Sequence, residues 1–199
     1  MTPRGAYAKG IAKREEILAT ALEVVAANGY RRASVRELAD AVGLSAAGLL
    51  HYFDSKEDLF TAILRKRDEH DRLMYGADGA DLDMLLTVIR HNATVPGLVQ
   101  LYAQLAVEAV DPEHPAHAFF RERTQGLQEH FRAAVVRAQE EGEIRADLDP
   151  AWVATSVQAL SDGLQSLWLV DPDIDMAAHI ERFLDALRPA PQPQGGAAS

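Results

Sequence analysis

Ser34, Arg36, Ser45, His51, Tyr52 and Lys56 crowd into one short stretch of this chain. Such side chains suit the binding of anions and polar edges. An arginine fork donates two hydrogen bonds to guanine, serine and tyrosine hydroxyls donate to phosphate oxygens, and lysine supplies a point charge. Ala46, Ala47 and Gly48 lie in the same stretch. Such small residues let a helix backbone approach base edges, and alanine methyls can touch thymine methyls. Catalytic signatures are missing: there is no phosphate loop, G-x-S-x-G, H-E-x-x-H or dinucleotide fingerprint. His51 with Asp54 or Glu57 could be drawn as an acid–base pair, but these residues belong to the same stretch. The chain has no cysteine, which removes disulfides, thiolate metal sites and cysteine nucleophiles. Asp111-Pro-Glu-His-Pro-Ala-His117 has half of a zinc spacing. With no second ligand pair it reads better as a helix start, where proline and acids suit the positive end. The expectation is a binding protein without catalysis, cofactor or metal.

The elements that must carry these residues are helices. No run of alternating β-branched residues with hairpin turns occurs. Residues 1–9 read as a flexible arm. Ile11, Leu18, Ala21, Leu22 and Val25 have helical spacing up to Gly29, a left-handed stop. Ser34-Val-Arg-Glu37 fits a capping box, with Leu38 and Val42 on the inner face of the helix that follows. Gly43 ends that helix, and apolar Leu44 plugs the turn. Ser45 caps a third helix with Leu49, Leu50 and Phe53. Ser55-Lys-Glu-Asp58 opens a long fourth helix to about Tyr75, with Leu59, Ile63 and Lys66 inward. Two short helices around a glycine turn are the geometry that sets one helix in the DNA major groove. Residues 10–56 are therefore expected to form a three-helix, helix-turn-helix DNA-binding domain. It continues through a connecting helix to about 75.

At this point a resemblance is plain. The first helix ends in Asn28-Gly29-Tyr30, and Ser34-Val-Arg-Glu-Leu-Ala, Val42-Gly43-Leu44-Ser45 and Tyr52-Phe53-Asp54-Ser55-Lys56-Glu57-Asp58-Leu59 follow. Over about residues 11–60 the chain resembles the N-terminal domain of TetR-family transcriptional regulators. The resemblance implies that Ser34 caps a helix and touches a phosphate, and that Arg36 reaches a base or the backbone. It further implies that Ser45, Ala46, Ala47 and Gly48 form the start of the recognition helix, and that Tyr52 and Lys56 grip phosphates. Two positions depart from the pattern. Ala47 stands where the family most often has glycine. Leu50 stands where it most often has a phosphate-donating tyrosine, which shifts that contact to His51 or Tyr52, with Arg31 and Arg32 available to compensate.

Charge fits a divided chain. The net is −10, yet residues 1–75 carry 12 Lys+Arg against 11 Asp+Glu, while residues 76–199 carry 8 against 19. A phosphate-binding face needs only a local basic patch. Gly76-Ala-Asp-Gly79 marks the boundary. Beyond it, helices are expected near 81–94, 96–110, 115–142, 150–170 and 173–187, punctuated by prolines. Residues 80–188 thus make a second, helical domain. The tail 189–199 is too polar and Pro/Gly-rich to bury a core and reads as disordered.

The fold class expected is all-α. A lone head binds a palindrome as a dimer, because one half-site gives limited affinity. Residues 151–170 are rich in small and apolar residues, which permit close packing of a second copy. The resemblance gives the last two large helices the dimer interface and makes the rest the wall of a pocket for a small-molecule effector. His91, Tyr102, Glu108, Phe119, Phe120 and Trp168 are its candidate lining. No apolar stretch reaches membrane-span length and no signal peptide is seen, which fits the cytoplasm. The function expected is a DNA-binding regulator, most simply a repressor released by its effector. The alternative is a ligand-binding or protein-interaction module that has lost DNA binding.

Overall fold

The computed structural model describes residues 3–29, 33–75 and 82–190, with the backbone alone for 3–7 and 75. The described residues form helices and no strand, as the periodicity predicts. In chain order these are α1 (Pro3–Asn28), α2 (Val35–Ala41), α3 (Ala46–Leu50), α4 (Lys56–Tyr75) and α5 (Leu82–Asn92). Then come α6 (Pro96–Glu108), α7 (His117–Glu140), α8 (Pro150–Trp168) and α9 (Met176–Ala186). The Gly76–Gly79 break, Arg31, Arg32 and residues 191–199 of the expected tail lie outside the described residues.

Local chemistry explains most boundaries. Gly29, Gly43 and Gly142 have φ of 80°, 69° and 77°, the left-handed region that ends α1, α2 and α7. At α2 the capping box is complete: Ser34 N donates to Glu37 Oε2 at 2.9 Å, and Glu37 N donates to Ser34 Oγ at 3.2 Å. Asp149 caps α8, accepting from Ala151 N at 2.9 Å, with Pro150 at the first helical position. Asp175 caps α9 by accepting from Ala178 N at 3.0 Å, so that helix starts three residues after the expected Asp173. One expectation needs correction. Residues 3–9, read as an arm, are the first two turns of α1. Pro3 suits a first helical position, and Ala6, Ala8 and Lys9 outweigh the single Gly5.

Two cores form. The first joins Ile17 and Val25 of α1, Leu38 of α2, Leu49 of α3, Leu59 and Ile63 of α4, and Leu98 and Leu101 of α6. The second joins Ile89 of α5, Phe131 and Val135 of α7, Val153 and Val157 of α8, and Ile180 of α9. The head is therefore not a separate globule, because α6 closes its core. The approach is tight at Gly97, where an added Cβ would lie 2.0 Å from Val25 O and 2.7 Å from Gly29 Cα. Only glycine lets the start of α6 sit against the end of α1.

Candidate nucleic-acid interface and ligand cavity

The surface of α2 and α3 follows from which side chains the core consumes. Leu38, Ala39 and Leu49 are buried, and Leu44 packs against them from the turn. That leaves Ser34, Arg36, Ser45, Ala46, Ala47 and His51 at the surface, with Gly48 and Tyr52 half-buried. Ser45 Oγ accepts from Gly48 N at 3.0 Å, which fixes the first turn of α3 and leaves the hydroxyl hydrogen to donate elsewhere. A Cβ on Gly48 would come within 3.1 Å of that Oγ. Arg36 has no acceptor among the described residues. Lys56, at the start of α4, stands 5.6 Å from the Phe60 ring centroid with no carboxylate partner among them. Tyr52 packs its ring against the first core and meets His51 edge-on, the ring centroids 6.0 Å apart. The residues expected to meet DNA are thus gathered on two adjoining helices and the turn after them. Leu50 is half-exposed and not part of the core.

The second feature is a cavity of about 900 Å³, walled by α1, α4, α5, α6, α7 and α8. Its floor is polar and connected. Asp68 on α4 accepts from Arg67 Nη2 at 2.9 Å and from Arg123 Nε of α7 at 2.8 Å. Arg123 Nη1 donates to Tyr102 Oη of α6 at 3.3 Å, and Tyr102 Oη donates to Asp162 Oδ1 of α8 at 3.2 Å. Both guanidiniums also lie over the Tyr102 ring, 5.3 Å and 4.8 Å from its centroid. Four helices are tied through one network. Lys66 adds a more exposed link in the same wall, donating to Glu15 of α1 and to Glu69, each at 2.9 Å.

Electrostatics separates the carboxyls. Burial works to raise the Asp68 carboxyl, but Arg67 and Arg123 outweigh it and hold Asp68 below the ordinary carboxylate range. Burial raises Asp71 and Asp162, only partly offset by the arginines. Burial also pushes Tyr102 up to about 12, so its phenol stays a donor at neutral pH. Arg123 stays protonated because Asp68 and Tyr102 outweigh its desolvation.

Of the lining expected from sequence, Tyr102 and Phe119 are in the cavity wall. His91, Glu108, Phe120 and Trp168 are not. Glu108 sits in the exposed last turn of α6, where Gln104 donates to it. Trp168 is taken up by the second core, and Phe120 packs beside Phe119 and Tyr102. His91 is in the last turn of α5, half-buried outside the wall. The polar floor was missed. Its one sequence signal is on α4, where the buried stripe of Phe60 and Leu64 continues into Arg67 and Asp71. The histidines near Pro115 stitch the α6–α7 turn: Ala116 N donates to His114 Nδ1 at 3.2 Å, and His117 Nδ1 lies 2.9 Å from Ala109 O. No metal-holding group of side chains occurs among the described residues. No helix there is long and apolar enough to cross a membrane.

Comparison with known proteins gives the family. Residues 17–63 match the model of bacterial regulatory proteins of the tetR family, and residues 84–189 match that of the C-terminal part of BetI-type transcriptional repressors. The HTH-type transcriptional repressor KstR2 of Rhodococcus jostii is 26% identical over 165 residues, covering 83% of this chain and 72% of that protein. The HTH-type transcriptional repressor AcnR of Corynebacterium efficiens is 28% identical over 165 residues, covering 79% and 82%. A crystal structure of a TetR-family transcriptional regulator from Rhodococcus sp. superposes with a TM-score of 0.67 at 25% identity, covering 89% of this chain and 98% of that one. The chain belongs to the TetR family of bacterial regulatory proteins, with a C-terminal part of the BetI-type repressor class, and is a DNA-binding transcriptional regulator.

Proposed function

We propose that this chain represses transcription as a homodimer on a palindromic operator in the cytoplasm and is released when a small molecule enters the cavity. The observation that carries the reading is the double role of α4. The helix starts at Lys56 beside the exposed face of the head, and its middle, from Ala62 to Arg72, walls the cavity. A ligand that displaces α4 changes the separation of two heads, and the recognition helices then miss their half-sites. In this reading Arg36 reads a base, and Ser34, His51, Tyr52 and Lys56 hold phosphates. Ser45, Ala46, Ala47 and Gly48 bring the α3 backbone to the base edges.

The outer face of α8 supports the dimer. Trp152 and Leu167 are exposed on it and Val170 just beyond it, with small Thr155, Ala159, Gly163 and Ser166 exposed between them. Selection of bound duplexes from random DNA with the purified protein tests the proposal. A recovered palindrome, with affinity falling steeply as salt rises, is expected, since each phosphate contact releases a counterion. Absence of any duplex binding at low salt sinks it.

A further inference from the structure

Resting on that reading, we infer that the cavity takes a zwitterion: a molecule with a carboxylate and an ammonium group close together on an apolar body. Arg67 and Asp71 sit one turn apart on α4 and are 5% and 8% exposed. Both line the cavity and both hold unpartnered atoms among the described residues. Arg67 commits Nη2 to Asp68, while its Nε and Nη1 have no acceptor. Asp71 Oδ1 has no donor. The two side chains make no ion pair with one another. Unpaired groups buried to this degree are costly, and a native site keeps them for a partner. A carboxylate answers Arg67, and an ammonium one helical pitch away answers Asp71, about 5.4 Å along the axis.

Other ligand classes fit less well. A plain cation would answer Asp71 and leave Arg67 Nε and Nη1 without an acceptor, and the Tyr102 ring is already occupied by Arg67 and Arg123. A plain anion would answer Arg67 and leave Asp71 Oδ1 without a donor. The zwitterion adds no net charge. Its apolar body has Leu85, Ile89 and Phe131 to lie on, and its remaining polar atoms can meet Asn92 Oδ1 and Gln158 Oε1, both unpartnered.

Calorimetric titration of the full-length protein tests this with four probes: L-phenylalanine, L-tryptophan, 3-phenylpropanoate and phenethylamine. The amino acids are expected to bind at least tenfold more tightly than the two half-charged analogues. Arg67→Met and Asp71→Asn, confirmed folded by circular dichroism, should each lose that preference. Equal binding of 3-phenylpropanoate makes the site an anion site and overturns the inference, as does equal binding of phenethylamine for a cation. Failure of both amino acids to bind overturns it too. DNA binding is measured separately on the same preparations. A protein that binds duplex DNA but no zwitterion refutes this inference and leaves the regulatory reading standing.

Discussion

Gly97→Ala should destabilise the junction between head and body through the tightest clash that a Cβ would meet at any described glycine. The new Cβ would lie 2.0 Å from the carbonyl oxygen of Val25 and 2.7 Å from Gly29 Cα. Carbon meets a carbonyl oxygen at roughly 3.3 Å, so the gap is short by about 1.3 Å. Both obstacles are backbone, and neither can rotate away. Gly97 sits in the first turn of α6, where alanine would otherwise gain about 1 kcal/mol in helix propensity. Overpacking of a rigid core costs about 1–3 kcal/mol and occasionally more, and a clash with two backbone atoms belongs at the upper end. The net expectation is a loss of about 2 kcal/mol, or roughly 4–8 °C in Tm for a chain of this size. Gly126→Ala is the control, because nothing lies within 4 Å of its Cβ and α7 should gain from the change. Urea denaturation of both variants and the parent gives the comparison. If Gly97→Ala is within about 0.5 kcal/mol of the parent, the range of an ordinary surface change, the close approach of α1 and α6 is not a constraint and the reasoning fails.

Arg36→Ala should weaken operator binding by about 1–3 kcal/mol and relax preference at one base position, whereas Lys56→Ala should weaken all duplexes alike and lower the salt slope by about 1; fluorescence anisotropy on operator and scrambled DNA separates the two. Asp68→Asn should cost about 2–3 kcal/mol at pH 7, below the full cost of a broken buried pair because Asp68 is 21% exposed. Asp71→Asn should instead stabilise, since it removes a buried carboxylate with an unanswered oxygen. The two differ in pH dependence. The Asp68 carboxyl is depressed, so its contribution is complete at neutral pH and is lost only as pH falls below the ordinary carboxylate range. Asp71 is raised, so its penalty is complete only above its folded value and fades as pH falls through it. Urea titrations stepped from neutral pH down to the ordinary carboxylate range should therefore show the Asp71→Asn advantage shrinking before the Asp68→Asn deficit does; the reverse order contradicts the charge assignments. Leu167→Glu should convert a dimer to monomer in analytical ultracentrifugation and weaken operator binding, and an unchanged sedimentation coefficient removes the outer face of α8 from the interface.

What the sequence made legible was local. Ser34 with Glu37, Ser45 and Gly43 act through hydrogen bonds and φ values within a few residues of themselves, so the head could be placed to within a residue or two. The start of α1 was misjudged for the same reason, because Gly5 and Pro3 are weak local signals against a helix that its neighbours favour. The cavity is a different kind of object. Its floor joins Asp68, Tyr102, Arg123 and Asp162 from four helices, and no spacing along the chain predicts that these four meet. Aromatic residues were the natural guess for a pocket, yet Trp168 was claimed by the second core. The informative residues were the ones out of place: Arg67 and Asp71 continue an apolar stripe on α4 at positions where leucine would be expected. A charge on a buried stripe is costly to keep. On α4 that cost falls on the helix that runs from the head into the cavity wall. There, two unanswered nitrogens of Arg67 and one unanswered oxygen of Asp71 make the packing of α4 depend on what fills the space beside them.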